Sequence, residues 1–425
     1  MPRTAFTHCF VVDCASSTSI PEATVLVEDG RIAWIESGAS VAIPEGADLI
    51  DLGGHCLMPG LWDCHCHPGL MIPDPERYSS FETEGELALR ALRNLLGAFE
   101  AGVTGVRVVG EAAFVDIALR EAFAGITPTG FWHGPLSPVP LHGPRMFVTG
   151  PGLRITGGHG AERRIEGLVS GSIEADGADE VRKAARYVMK MGVDWVKLMI
   201  TGGIAGLREG MGESQMTFEE IKAACDAAHN KGLKVCAHIG AAVAAKTAIR
   251  AGLDSVEHGY LLDQEVVDMM AENGVWYVPT MTVTEDMERL RLNQTPAYSL
   301  QRAEEGAAAH HRSFELALKA GVNIACGADM NPMWATSVKE VYWLGKCGMT
   351  NLQSLQAATI KSAELCGVDD QLGTIEPGKL ADMIVVEGNP LEDLRHLRNV
   401  ALVIKEGLVA VDRRDKAKRL PHLKW

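Results

Sequence analysis

Six side chains able to bind a metal or carry a proton occur in one order along the chain: His65 and His67 within D-C-H-C-H, then Lys197, His238, His258 and Asp329. Each stands at or near the end of an apolar run, so the strand ends of a parallel barrel could bring all six to one metal centre. Such a centre would perform hydrolysis, because a bound divalent cation lowers the pKa of water and polarises a carbonyl.

Cys64, His65, Cys66 and His67 cannot all serve one Cys2His2 zinc site, since successive side chains on a strand point to opposite faces. With the histidines inward, the cysteines face the surrounding helices, in keeping with their apolar neighbours Leu61 and Trp62. Two imidazoles two residues apart can then grip one cation. Lysine is ordinarily a surface residue, yet Lys197 lies among Trp195, Val196, Leu198, Met199 and Ile200. An isolated buried ammonium is very costly, so this lysine must be neutralised, paired or modified. Carboxylation by CO2 would make it an anionic bridge between two cations.

His238 in K-V-C-A-H-I-G and His258 in S-V-E-H-G close β-type runs. Taken singly, each reads as a satisfied core histidine, and Asp329 in A-C-G-A-D-M-N as a helix N-cap or turn residue. Their shared place at strand ends favours ligands. His159 in I-T-G-G-H-G is a candidate to polarise a substrate carbonyl, against the alternative of a loop histidine without function. His142, His310 and His311 lie outside strand ends, and the last two read as helix-surface residues. Ile239, Met330, Asn331 and Trp334 stand beside ligand positions and are candidates to line the substrate pocket, with core packing the other reading for the apolar ones.

The elements that would position these groups alternate in type. G-V-T-G-V-R-V-V, R-M-F-V-T-G, V-D-W-V-K-L-M-I, L-K-V-C-A-H, D-S-V-E-H-G, V-W-Y-V-P-T and V-N-I-A-C-G-A-D are separated by amphipathic segments, and with L-W-D-C-H-C-H they make eight candidate parallel strands. Helices are predicted over 179–191 and 217–231, closed by Gly192 and Gly232. The Pro- and Gly-rich stretch from Thr127 to Pro144 predicts a long loop near the site. Both ends of the chain read as β structure without helices, with Asp29-Gly30 marking a tight hairpin. An α/β chain of 425 residues therefore divides into a (β/α)8 TIM barrel over 58–365 and a small β-sandwich built from 1–57 and 366–425.

Composition narrows the partners. With 40 Lys+Arg against 55 Asp+Glu the formal charge is -15, which argues against nucleic acid or an anionic membrane and suits a neutral or weakly charged small molecule. The first twenty residues lack the continuous apolar stretch of a signal peptide, and no later run would span a bilayer, so a cytoplasmic protein is expected. Ten cysteines scattered singly among apolar residues predict reduced thiols rather than a disulfide framework.

The motifs L-M-P-G-L-W-D-C-H-C-H, V-K-L-M-I-T-G-G, V-C-A-H, V-E-H-G, C-G-A-D and I-E-P-G-K-L-A-D-M-I-V-V-E-G-N-P together resemble the amidohydrolase superfamily over essentially the whole chain. Lys197 points to its binuclear branch with a carboxylated lysine. I-T-G-G-H-G and H-H-R-S-F-E-L-A-L-K-A-G-V resemble the prolidase-like dipeptidases and the ochratoxin-hydrolysing amidases. The resemblance implies a distorted TIM barrel with a β-sandwich, a homo-oligomer, and two divalent cations, with zinc the expected metal. It implies that His65, His67 and Asp329 hold one cation and His238 and His258 the other, that carboxylated Lys197 bridges them, and that Asp329 moves the proton from water to the leaving amine. Several dipeptidases of this group carry a tyrosine where this chain has Ile239, and the segment from Thr127 to Pro144 is longer here, so an N-acyl amino acid or an aryl amide fits as well as a dipeptide. A cyclic-amide or carbamate hydrolase, or a deaminase, is the alternative enzyme on this scaffold. Lys197 counts against a mononuclear deaminase, and the presence of all six ligands counts against a non-catalytic scaffold protein.

Overall fold

The computed structural model describes residues 3–38, 41–70, 83–124, 141–160 and 171–415. The N-terminal strands β1 (Arg3–Val11), β2 (Ile20–Glu28), β3 (Arg31–Ser37), β4 (Asp48–Asp51) and β5 (Cys56–Pro59) are followed by β6 (Leu61–Cys66), β7 (Val103–Val108), β8 (Arg145–Val148), β9 (Gly152–Arg154) and β10 (Ser172–Glu174). Then come β11 (Trp195–Met199), β12 (Lys234–Ala241), β13 (Ser255–Leu261) and β14 (Trp276–Val278), and the chain closes with β15 (Met383–Val386), β16 (Val400–Lys405) and β17 (Leu408–Asp412). Between them, among the described residues, lie helices α1 (Glu84–Glu100), α2 (Val115–Phe123), α3 (Ala178–Lys190), α4 (Phe218–His229), α5 (Ala242–Ala251), α6 (Gln264–Asn273), α7 (Thr282–Glu285), α8 (Met287–Leu292), α9 (Ala297–Ala320), α10 (Met333–Lys346), α11 (Asn351–Ala357) and α12 (Ile360–Cys366). None is long and apolar enough to cross a membrane.

The two ends of the chain meet in one hydrogen-bonded sheet of order β17-β16-β15-β5-β1-β2-β3, with β4 beside β1. Its apolar residues, among them Phe6, Val11, Val25, Leu57, Met383, Leu402 and Ile404, form a core of their own. Asp29 and Gly30 both take positive φ, 50° and 78°, the backbone a two-residue hairpin turn needs between twisted strands.

The middle of the chain alternates parallel strand and helix. One sheet runs β6-β7-β8 and another β10-β9-β11-β12-β13-β14, with every neighbouring pair parallel. The predicted third strand, over 145–150, forms β8 and pairs with β7, and the short strand β9 that follows, not predicted, pairs with β11 through Leu153 and Leu198. The predicted eighth strand, over 322–329, forms no ladder among the described residues. It makes a single bridge from Ile324 to Tyr277 and spans the gap between β14 and β6, since Cys64 N donates to Cys326 O at 2.7 Å and Asp329 N to His65 O at 2.7 Å. Gly327 permits this approach, because a Cβ there would lie 2.6 Å from His65 N. The predicted helices become α3 and α4, the latter started by a capping box between Thr217 and Glu220. Of the predicted loop from Thr127 to Pro144, residues up to 140 lie outside the described residues, and 141–144 carry no regular structure.

Candidate metal centre

The strands deliver the predicted residues to one place. Oδ1 of Asp329 lies 3.6 Å from His65 Nε2 and 3.3 Å from His67 Nε2, and its Oδ2 lies 3.9 Å from His258 Nδ1. The rings of His67, His65, His258, His238 and His159 follow one another with centroid separations of 5.3, 4.6, 4.4 and 4.0 Å. Lys197 is buried in β11, and its amine acts electrostatically on His65, His67, His238, His258 and Asp329. Among the described residues no carboxylate lies within ion-pair distance of that amine, and burial pushes it below the ordinary lysine range.

Hydrogen bonds fix which ring atoms face inward. His67 Nδ1 lies 2.7 Å from Gly110 O, which can only accept, so Nδ1 carries the proton and Nε2 presents a lone pair. His65 is oriented alike, with Nδ1 2.8 Å from a carboxylate oxygen of Glu257. His238 gives its Nε2 to Gly202 O at 3.2 Å, leaving Nδ1 as the atom free to bind. Burial holds these rings neutral, His67 at about 4 and His65, His238 and His258 well below the usual imidazole range. Burial likewise pushes the Asp329 carboxyl up to about 7. Two nitrogen lone pairs thus converge on one carboxylate oxygen, and this repels unless a proton or a cation stands between them. The donor set therefore fits a divalent cation.

Several groups that hold the ligands were not singled out from the sequence. Asp63 Oδ1 accepts from His65 N and Ala328 N, both at 3.1 Å, and its Oδ2 accepts from Ser337 Oγ, tying β6 to the segment that carries Asp329. Glu257, fully buried, binds His65 on one oxygen and Arg107 Nη2 at 2.7 Å on the other. Strict alternation along β13 would send Glu257 and His258 to opposite faces, yet both reach His65. The reason is a left-handed backbone at His258, φ 68°. Thr280, which bonds His258 Nδ1 at 2.8 Å, and Asp329 also have positive φ, 55° and 51°. Such strain in non-glycine residues is held in place only by well-determined surroundings.

His159 lies over His238, with its Nδ1 on Glu209 and its backbone N donating to Gln215 Oε1 at 2.8 Å. Gly203 makes room for both rings, since a Cβ there would lie 2.4 Å from His159 Cε1 and 2.9 Å from His238 Cε1. The predicted pocket residues separate. Ile239 is fully buried among apolar side chains, next to His238 along β12. Met330 packs with Ile204, Tyr260, Val283, Leu290 and Ala303. Asn331 Nδ2 donates to His67 O and Leu70 O at 2.9 and 3.0 Å, and Trp334 packs on Gly97 of α1. His310, read as a helix-surface residue, is instead fully buried and bonds Thr284 Oγ1 and His258 O, because α9 turns Ala303, Gly306, His310, Ser313, Phe314 and Ala317 inward on one face. His311 stays partly exposed and His142 half-buried. All ten cysteines are free thiols, and Cys64 packs with Trp62, Cys236 and Val278 away from the histidines.

The Arg107–Glu257 pair gives a stability test. Arg107→Ala would leave Glu257 as an uncompensated buried charge, for an expected loss of about 3–5 kcal/mol in denaturant unfolding. The additional change Glu257→Gln should recover part of it. A loss below about 1 kcal/mol would reduce the pair to the worth of a surface ion pair.

A model of the amidohydrolase family matches residues 56–409. Ochratoxinase of Aspergillus niger is 29% identical over 400 residues, covering 88% of this chain and 79% of that protein. Among solved structures, a Xaa-Pro dipeptidase with methionine bound in its active site is 32% identical, with a TM-score of 0.84 and coverage of 96% of this chain and 99% of that one. The crystal structure of the A. niger ochratoxinase is 26% identical, with a TM-score of 0.81 and coverage of 97% and 96%.

Proposed function

The chain belongs to the amidohydrolase family and is a hydrolase acting on C–N bonds, and from there we propose that it is a binuclear metal-dependent enzyme cleaving the amide bond of a small molecule. The substrate class is an N-acyl amino acid, a dipeptide or an ochratoxin-like aryl amide, in line with what the ochratoxinase and the Xaa-Pro dipeptidase among its relatives are named for. The parallel strands then form a distorted (β/α)8 barrel over 58–365, with a β-sandwich from 1–57 and 366–425. The observation that carries this reading is the convergence of two fixed lone pairs, from His65 and His67, on Asp329.

In this reading His65, His67 and Asp329 would hold one cation, His238 and His258 would hold a second, and Lys197 as a carbamate would serve both. Its amine, held toward the neutral form by burial, attacks CO2; the N–C bond forms, one proton leaves and an anion remains. When bound, two divalent cations, zinc being the expected metal, lower the pKa of water and polarise the scissile carbonyl. Asp329 would take the proton of the attacking water and deliver it to the leaving amine, the role of a positioned carboxylate acid–base group. Glu209 holds His159 at Nδ1 and so aims its Nε2 toward the scissile carbonyl oxygen. Asn331 and Trp334 border the pocket from the start of α10.

Elemental analysis of reconstituted protein beside the double variant His65→Ala/His238→Ala should show a difference of about two divalent cations per chain. A difference near one, with the wild type fully active, overturns the binuclear reading. Turnover of N-acyl amino acids, dipeptides, aryl amides and lactams by the metal-loaded protein tests the substrate class, and turnover of lactams alone would favour the cyclic-amide alternative.

A further inference from the structure

A second group of metal-binding side chains lies outside this centre. Glu285 at the end of α7, His311 in α9 and Cys347 at the C-cap of α10 each place one donor atom within 4.8 Å of the others. His311 Nδ1 is 3.7 Å from Glu285 Oε1. Tetrahedral ligands at ordinary zinc bond lengths stand roughly 3.3–3.6 Å apart, so small side-chain shifts would close the set on a cation. The other ring nitrogen, Nε2, lies 3.6 Å from Glu315 Oε1, one turn further along α9. A carboxylate behind a ligand imidazole is the arrangement that orients it and strengthens its donor atom. Among the described residues neither Glu285 nor Glu315 forms an ion pair with a lysine or arginine, so His311 is their one basic partner. Cys347 caps the C-terminus of α10, where the partial negative charge of the helix end favours a cation.

We propose that Glu285, His311 and Cys347 form a peripheral divalent-cation site, with Glu315 orienting the imidazole. A thiol and an imidazole select Zn2+ over Mg2+ or Ca2+. Binding forms the metal–sulfur bond and releases the thiol proton to solvent, which reaches the site past the partly exposed His311. Three ligands leave a fourth position for water. The cation would join α7, α9 and α10. Because α7 begins two residues after Thr280, the hydroxyl that holds His258, occupancy would also fix the approach to the catalytic centre.

Reconstitution of the full chain with Co2+ alone tests this, because none of the catalytic donors is a cysteine. The wild type should show thiolate-to-cobalt charge-transfer absorption equivalent to one thiolate per chain. The band should vanish in Cys347→Ser, persist in His65→Ala, and require at least about tenfold more Co2+ in Glu285→Gln, a change at a half-buried side chain that leaves Cys347 in place. No band in folded wild type, or a band that survives Cys347→Ser, overturns the proposal. Added Zn2+ should raise the Tm of the metal-loaded wild type by a few degrees and leave that of Cys347→Ser unmoved; equal shifts in both also overturn it.

Discussion

Lys197→Ala is expected to lower turnover on the order of 10³-fold or more, because in the proposed mechanism it removes the ligand shared by both cations and with it several kcal/mol of transition-state stabilisation. The truncated side chain leaves a gap at a buried position of β11, beside Gly152, whose missing Cβ makes room for the lysine stem. Short carboxylic acids are therefore expected to restore part of the rate by supplying two oxygens in the space of the lost carbamate. Lys197→Arg should not recover, since a guanidinium keeps its charge and forms no carbamate. Steady-state rates with and without added acetate or propionate decide the matter. An arginine variant that retained most of the rate would remove the bridge from the mechanism.

Asp329→Asn should cost on the order of 10²–10⁴ in kcat, the usual worth of a positioned acid–base group, with metal content only modestly reduced because an oxygen stays beside His65 and His67. His159→Ala should separate from it. Its ring stacks on His238 but is no ligand in the proposed mechanism, so the metal content should be kept, and the rate should fall most for poorly activated amides. Kinetics on amides of graded leaving-group ability, with metal analysis of both variants, test this division. Equal metal loss in the two would overturn the roles, and an unchanged rate for His159→Ala would return that residue to a loop histidine without function.

Most of the candidate site is legible because its side chains are chemically improbable where they stand. A lysine inside W-V-K-L-M-I, or histidines closing apolar runs, demands an explanation that burial alone does not give. The same logic applied to Arg107 in V-T-G-V-R-V-V would have exposed the Arg107–Glu257 pair, since a guanidinium in that run also needs a buried partner. Glu257 stayed hidden for another reason: alternation places it opposite His258, and the left-handed backbone that brings both inward has no signature in the residue types. His310 was misjudged because its helix, with His, Arg and Glu next to its small residues, shows little polarity contrast between faces. Glu209 and Thr280 depend on loops whose path only the folded chain reveals. In the fold, the run over 322–329 lacks a ladder because Gly327 lets it press onto His65 rather than stand at strand spacing.

The sheet shared by the two ends of the chain has a consequence for synthesis. Pro59 of β5 pairs with Met383 of β15, so a strand made early waits for a partner made more than three hundred residues later. At roughly 5–20 residues per second on the ribosome, that interval lasts on the order of tens of seconds. Throughout it, the nascent N-terminal strands carry an unpaired edge bearing Cys56, Leu57 and Met58, residues fully buried in the finished fold. The yield of native protein should therefore depend on what shields that edge before release, making chaperone supply and elongation rate the levers on expression.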